Sequence, residues 1–254
     1  MKRSFVLLGA MVLLLLIWTP TPAYAAFPIP GINLEIGNGE GPAGTANTVT
    51  LILLVTILSL APSILVLMTS FTRIVIVLSF VRTALGTQQM PPNQVLIGIA
   101  LFLTFFVMSP TIGTMNETAI QPFLKGEIQQ AEALDKAVLP LKKFMMAQTR
   151  EKDLMLFLNY SKAEKPTGVE DTPLTALLPA FAISELKSAF QMGFMIFIPF
   201  LVIDMIVAST LMSMGMMMLP PIMISLPFKI LLFVLVDGWY LVVKSLLLSF
   251  HPPV

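Results

Sequence analysis

Four stretches of this chain are apolar and almost free of charge, about Val49–Met68, Val95–Gly113, Ser188–Thr210 and Ile222–Phe250. Each is near the ~20 residues a helix needs to cross a bilayer. One globular core cannot cover that much apolar surface, because 56% of the 254 residues are hydrophobic and only 11% are charged, against roughly 25% charged in a soluble domain. The pattern predicts an all-α chain of two long apolar helical hairpins. The charge-bearing stretch Asn116–Asp171, with breakers at Pro122, Pro140 and Pro166, reads as a small polar helical domain between them.

The two hairpins share turn chemistry. Gly86 is followed by four residues and then Pro91-Pro92, and Gly215 by four residues and then Pro220-Pro221. Glycine admits left-handed backbone and a proline pair biases the preceding residue away from helix, so each element stops one helix and re-aims the next. Flanking residues hardly match between the two turns, which favours two separate uses of one turn chemistry over a duplication.

The first residues predict export. Lys2 and Arg3, an apolar run from Phe5 to Ile17, and Ala23-Tyr24-Ala25 before Ala26 have the order of a signal peptide cut near Ala26. The implied organisation is a signal peptide (1–25), an exported lead (26–48), the first hairpin (49–114), the exported helical domain (115–184), the second hairpin (185–250) and a tail (251–254). With the mature N-terminus exported, the segment bearing Arg73 and Arg82 becomes a cytoplasmic turn by the positive-inside rule. The methionine turn then returns to the cytoplasmic side, and His251 ends outside.

Charges inside apolar runs cost about 2.5–3.5 kcal/mol each on insertion scales and call for a partner or a wet cavity. If the second hairpin folds back at Met216 and Met217, Asp204 lies opposite Lys229, a neutralising pair at matched depth. The same register sets Lys244 opposite Ala189, one helical turn from Glu185, which predicts a Glu185–Lys244 pair. Asp237 and Arg73 are left without partners, pointing to contacts between hairpins or between subunits.

Catalytic chemistry is hard to find in the sequence. The lone histidine is His251, there is no cysteine, no phosphate-binding glycine loop with its lysine, and no basic run to attract nucleic acid. The expectation is a protein that is not an enzyme and needs no cofactor or metal. A transporter of ions or solutes using Asp204 and Lys229 remains the alternative.

Two stretches carry a family resemblance: PAFAISELKSAFQMGF (Pro179–Phe194) and LPFKILLFVLVDGW (Leu226–Trp239) resemble the signatures of the FliP family of flagellar type III export-gate proteins, related to the SctR subunit of injectisomes. TSFTRIVIVLSFVRTALGTQQMPPNQVLIGIALFLTFFVMSP (Thr69–Pro110) is similar to the flagellar branch. The resemblance implies a bacterial inner-membrane protein of the flagellar basal body. Its homo-oligomer is a pentamer and builds, with FliQ and FliR, a helical conduit for unfolded flagellar proteins, next to FlhB and FlhA. It further implies that the charged domain is periplasmic, and that the hairpins pack on neighbouring subunits toward the periplasm instead of standing as ordinary bilayer spans. The family's charged pair falls on Asp204 and Lys229, and its methionine gasket on Met216, Met217 and Met218. Methionine suits a gasket because an unbranched, polarizable side chain rearranges around varied cargo. Met212 and Met214 read as ordinary helix packing.

Overall fold

The computed structural model describes residues 52–250, apart from 53, 54, 57, 58, 61, 88, 162–165 and 217. The expected signal peptide (1–25), the lead (26–48), the tail (251–254) and Met217 therefore lie outside the described residues. The chain divides into two units, 1–56 and 57–254; everything below concerns the second.

Among the described residues all regular structure is helical. In chain order the helices are α1 (Pro62–Met68), α2 (Phe71–Leu85), α3 (Asn93–Met115), α4 (Gln121–Leu124), α5 (Gln130–Gln148), α6 (Glu151–Ser161), α7 (Leu174–Ser213), α8 (Pro221–Leu235) and α9 (Gly238–Leu248). A π-helical turn, Asn116–Ile120, joins α3 to α4, so Asn93–Leu124 runs as one apolar helix. That helix and α7 are each long and apolar enough to cross a membrane.

The segment with Arg73 and Arg82 is not a turn. It is α2, set at 79° to α1, and the reversal comes only at Gly86–Pro92. The reason is periodicity: Ile74, Val77, Leu78, Val81, Ala84 and Leu85 recur three and four residues apart and are all buried, which makes one continuous core face. That face packs mainly on α7. Leu96 and Ala100 of α3, Ala189 and Phe200 of α7, and Val242 and Leu246 of α9 complete this core. A second core forms where Met145 of α5 and Leu154 and Leu158 of α6 meet Leu177 and Phe181 at the start of α7.

Helix α7 belongs to both cores. At 1.5 Å per residue its 40 residues span roughly 60 Å, and it runs unbroken past Pro179, Pro199 and residues 184–185. The polar segment and the second hairpin thus share a helix, as the first hairpin and the polar segment do through Asn93–Leu124. Hydroxyls on these apolar helices donate to the carbonyl four residues back, as Ser79 does to Val75 and Thr104 to Ala100, which lets them sit in apolar surroundings.

Helix α2 comes close to α7 at Gly193. A Cβ there would lie 2.5 Å from the Phe80 ring and 3.0 Å from Phe80 Cβ, and Phe80 also meets Phe190 edge to face with centroids 5.4 Å apart. Gly193→Ala therefore overpacks the α2–α7 contact, with an expected loss of about 1–3 kcal/mol. A lowered thermal midpoint of the detergent-purified protein would register it; an unchanged midpoint would contradict the packing argument.

Candidate functional site

The second hairpin closes on the methionine turn. Gly215 adopts φ 75° and its N–H donates to Met212 O, while the Met216 N–H donates to Leu211 O. This is a left-handed glycine cap with the six-to-one bond that satisfies end carbonyls. Pro221 opens α8 as its first residue, and Pro220 precedes it with extended backbone, a placement that uses proline's missing N–H where no helical partner exists. Gly86 repeats the device, with φ 75° and its N–H donating to Thr83 O, and Pro92, preceded by Pro91, sits just before α3.

On this tip Met218 is 97% exposed and Met216 is half-buried. Met212 and Met214, expected to pack on helices, are exposed as well. The glycine cap turns the chain away at Met214, so among the described residues no helix passes over them. The tip presents thioethers outward.

Below the tip the two arms meet through charge. Lys229 Nζ lies 2.6 Å from Asp204 Oδ2, and the Ser225 hydroxyl donates to Asp204 Oδ1. Ser225 stands one turn before Lys229 on α8, a spacing that would have revealed it in the sequence. The lysine side chain is 3% exposed and the aspartate 28%. The first hairpin closes over this pair: a Cβ on Gly86 would lie 3.6 Å from Leu226 and 3.8 Å from Lys229 Nζ. Both glycine turns therefore bear on the arms of the second hairpin.

A second charged centre sits higher on α7. Arg73 of α2 binds Glu185, with Nε 3.0 Å from Oε2 and Nη2 donating to Oε1. Nη2 also donates to Gln148 Oε1 of α5 at 3.0 Å, and Nη1 to Ser249 O and Oγ at 2.9 and 3.0 Å. All five N–H donors of the guanidinium are engaged, and its Cζ stands 4.0 Å from the centroid of the Phe250 ring.

Arg73 thus finds its partner across the two hairpins, one of the contacts expected for it, while the expected Glu185–Lys244 pair does not form. The hairpin register fails there because α8 and α9 meet at 63°. Asp237 takes φ 51° at the break, precedes α9 and is exposed at the bend. Lys244, carried off by the bend, lies 5.7 Å from the Tyr240 ring centroid. The Asp237-Gly238 dipeptide, a turn signal, marks the break in the sequence.

Ser184, next to Glu185, extends the network. Its hydroxyl donates to Asp153 Oδ2 at 2.7 Å and accepts the Arg150 N–H at 3.1 Å, while Arg150 Nη2 lies 2.7 Å from the same carboxylate oxygen. The Ser184 hydrogen bond, and after it the Arg150 charge, hold the Asp153 carboxyl below its ordinary range against the opposing effect of burial. Among the described residues no three His, Cys, Asp or Glu side chains converge as metal ligands would.

Comparison with known proteins matches residues 54–246 to the FliP family. The chain is 66% identical to the flagellar biosynthetic protein FliP of Bacillus subtilis (strain 168) over 217 residues, covering 85% of this chain and 98% of that protein. Identity is 54% to the Caulobacter vibrioides protein of the same name, over 89% of this chain and 85% of that one. For the Aquifex aeolicus protein of that name it is 49%, over 88% and 92%.

Two outcomes test this geometry. Asp204→Leu strands a buried ammonium and is expected to cost about 3–5 kcal/mol, whereas Asp204→Leu with Lys229→Met recovers most of the loss; thermal unfolding of the three proteins checks the order, and a double variant worse than the single one contradicts it. The depressed Asp153 value contributes stability that is present above the unfolded carboxyl value of about 3.9 and lost as pH falls through the folded value. Protection of the Arg150–Leu154 amides from exchange, relative to the unfolded chain at the same pH, should stay flat down to about pH 4 and fall below it, and Ser184→Ala should shrink that fall because it brings the folded value back toward the unfolded one.

Proposed function

The chain belongs to the FliP family, and from that premise we propose that it is a pore subunit of the flagellar type III protein export gate, working by shape and not by catalysis. In this reading copies of the chain form a ring, a pentamer by family resemblance, in the bacterial inner membrane. With FliQ and FliR they surround a conduit for unfolded flagellar proteins and stand beside FlhB and FlhA. The charged domain faces the periplasm.

The observation that carries the reading is the methionine tip. An apolar side chain 97% exposed at Met218, with Met216 beside it and Met217 between them in sequence, is a poor surface for a monomer in water. It is a suitable lining for a constriction. A rigid ring would seal against solutes but reject varied cargo; flexible thioethers close the gap when idle and rearrange around a passing chain. An apolar constriction also excludes water and with it ions.

Asp204 and Lys229 serve this reading as the clamp that fixes the tip's two arms. The alternative, a solute transporter with its site at that pair, is disfavoured by the engagement of both groups: Ser225 and Lys229 hold the two oxygens of Asp204, and Lys229 is buried. The two readings part on isolation, because a gate subunit co-purifies as a multimer with FliQ and FliR, whereas a transporter binds or moves a small solute alone.

Replacing Met216, Met217 and Met218 together with alanine is expected to let membranes carrying the assembled complex leak small solutes while flagellar protein export continues. Unchanged permeability in a complex shown to be assembled and open would count against the gasket.

A further inference from the structure

The apolar runs of the second hairpin, Ser188–Thr210 and Ile222–Phe250, hold four charges: Asp204, Lys229, Asp237 and Lys244. Asp204 and Lys229 match each other. Asp237 and Lys244 are both exposed, and neither makes an ion pair among the described residues. They cannot satisfy one another, because seven residues set them two turns, or roughly 10 Å, apart along α9, beyond the three- and four-residue spacing at which charges on one helix meet. Asp237 makes no capping hydrogen bond to its own helix. Lys244 stands 5.7 Å from the Tyr240 ring centroid, a contact that leaves its charge unmatched.

The surroundings of the two charges say what covers them. Leu241 and Leu248 lie three residues before and four after Lys244, on one side of α9, and are 46% and 60% exposed. Val242 and Leu246 face the other way, into the core. The outer stripe is thus apolar, with a base within it and an acid at its start. Its complement is an apolar surface that carries an acid and a base at the same spacing, and a second copy of this chain carries both.

The bend before α9 fixes how two copies meet. A Cβ on Gly238 would lie 2.3 Å from the Phe233 ring, and Trp239 meets that ring edge to face with centroids 5.3 Å apart, so the bend is packed in place. Because α9 stands at 63° to α8, about 9 Å of the separation between the two charges lies across the hairpin arm instead of along it. On a straight arm the acid and the base would stand at different heights, and copies side by side would set like against like. On the bent arm a copy displaced sideways brings its Asp237 toward the Lys244 of its neighbour.

We infer that copies of this chain join head to tail through α9, with Lys244 of one copy paired to Asp237 of the next beside the stripe of Leu241 and Leu248. A contact between two different patches repeats from copy to copy and closes a ring where the rotation allows. The inference rests on the reading of the chain as one of several side-by-side copies, and it names a contact between them.

The chain has no cysteine, so an introduced pair reports on this contact alone. Asp237→Cys with Lys244→Cys, in the full chain in membranes treated with a mild oxidant, should give disulfide-linked species from dimer upward on a non-reducing gel. Each single variant should stay at the monomer. Within one chain the two positions exceed the roughly 7 Å between Cα atoms that a disulfide spans, so every link joins two copies. Lys244→Glu sets two acids together and should cut the assembled share of detergent-extracted chain at least about tenfold. Adding Asp237→Asn, which suits left-handed backbone as aspartate does, should recover most of that loss. If the wild-type chain associates, three results each overturn the contact and leave the gate reading standing: no link, assembly indifferent to Lys244→Glu, or links that stop at dimers, which mark an antiparallel twofold pair. A wild-type chain that stays monomeric in native mass spectra removes both.

Discussion

Arg73 is a permanent cation with almost no access to water, and the arrangement of the upper half of the molecule follows from what that requires. A buried guanidinium is tolerable only when its charge is matched and every donor is used. The match is Glu185 on α7; the remaining donors reach Gln148 on α5 and Ser249 just past α9. The Ser249 carbonyl lies at the negative end of α9, where a cation is favoured. One side chain thereby fixes where α5, α7 and α9 stand relative to α2. A lysine could not replace it, having three donors on a point charge instead of a planar fork.

The two charged centres divide α7 between them. Glu185, with its neighbour Ser184, ties the helix to the polar segment and the first hairpin, and Asp204 ties it to its own returning arm. Between them the helix is held by shape, with Gly193 admitting the Phe80 ring against the backbone. Polar anchors near the ends and close packing between them leave long apolar faces of α3, α7 and α8 exposed, among them Phe194, Met205 and Leu235. Those faces require lipid or other chains, in keeping with a membrane protein of this family.

What could be read from the sequence depended on distance along the chain. The opposition of Asp204 and Lys229 follows from one turn and two arms of nearly equal length, because a glycine cap and a proline pair fix where the chain reverses. The same arithmetic carried to Lys244 fails, since it assumes a straight second arm and the chain bends at Asp237. The Arg73–Glu185 pair joins residues 112 apart, beyond the reach of any local periodicity. A charge balance over the apolar runs did show that Arg73 needed an acid, but not which one. The positive-inside rule alone puts Arg73 and Arg82 in a turn, although the spacing of Ile74, Val77, Leu78 and Val81 describes a helix. The π-helical turn at Asn116–Ile120 has no evident signal in its five residues.

The length of α7 has a mechanical side. From Glu185 to Ser213 the helix extends about 42 Å, with its upper end clamped to three other helices, its middle packed on α2 through Ala189, Gly193 and Phe200, and its lower end tied to the returning arm, on which the Gly86 turn also bears. It is a beam supported along its length. The buried arginine and the methionine turn stand on one stiff helix, so a displacement at either end is passed to the other instead of being absorbed between them.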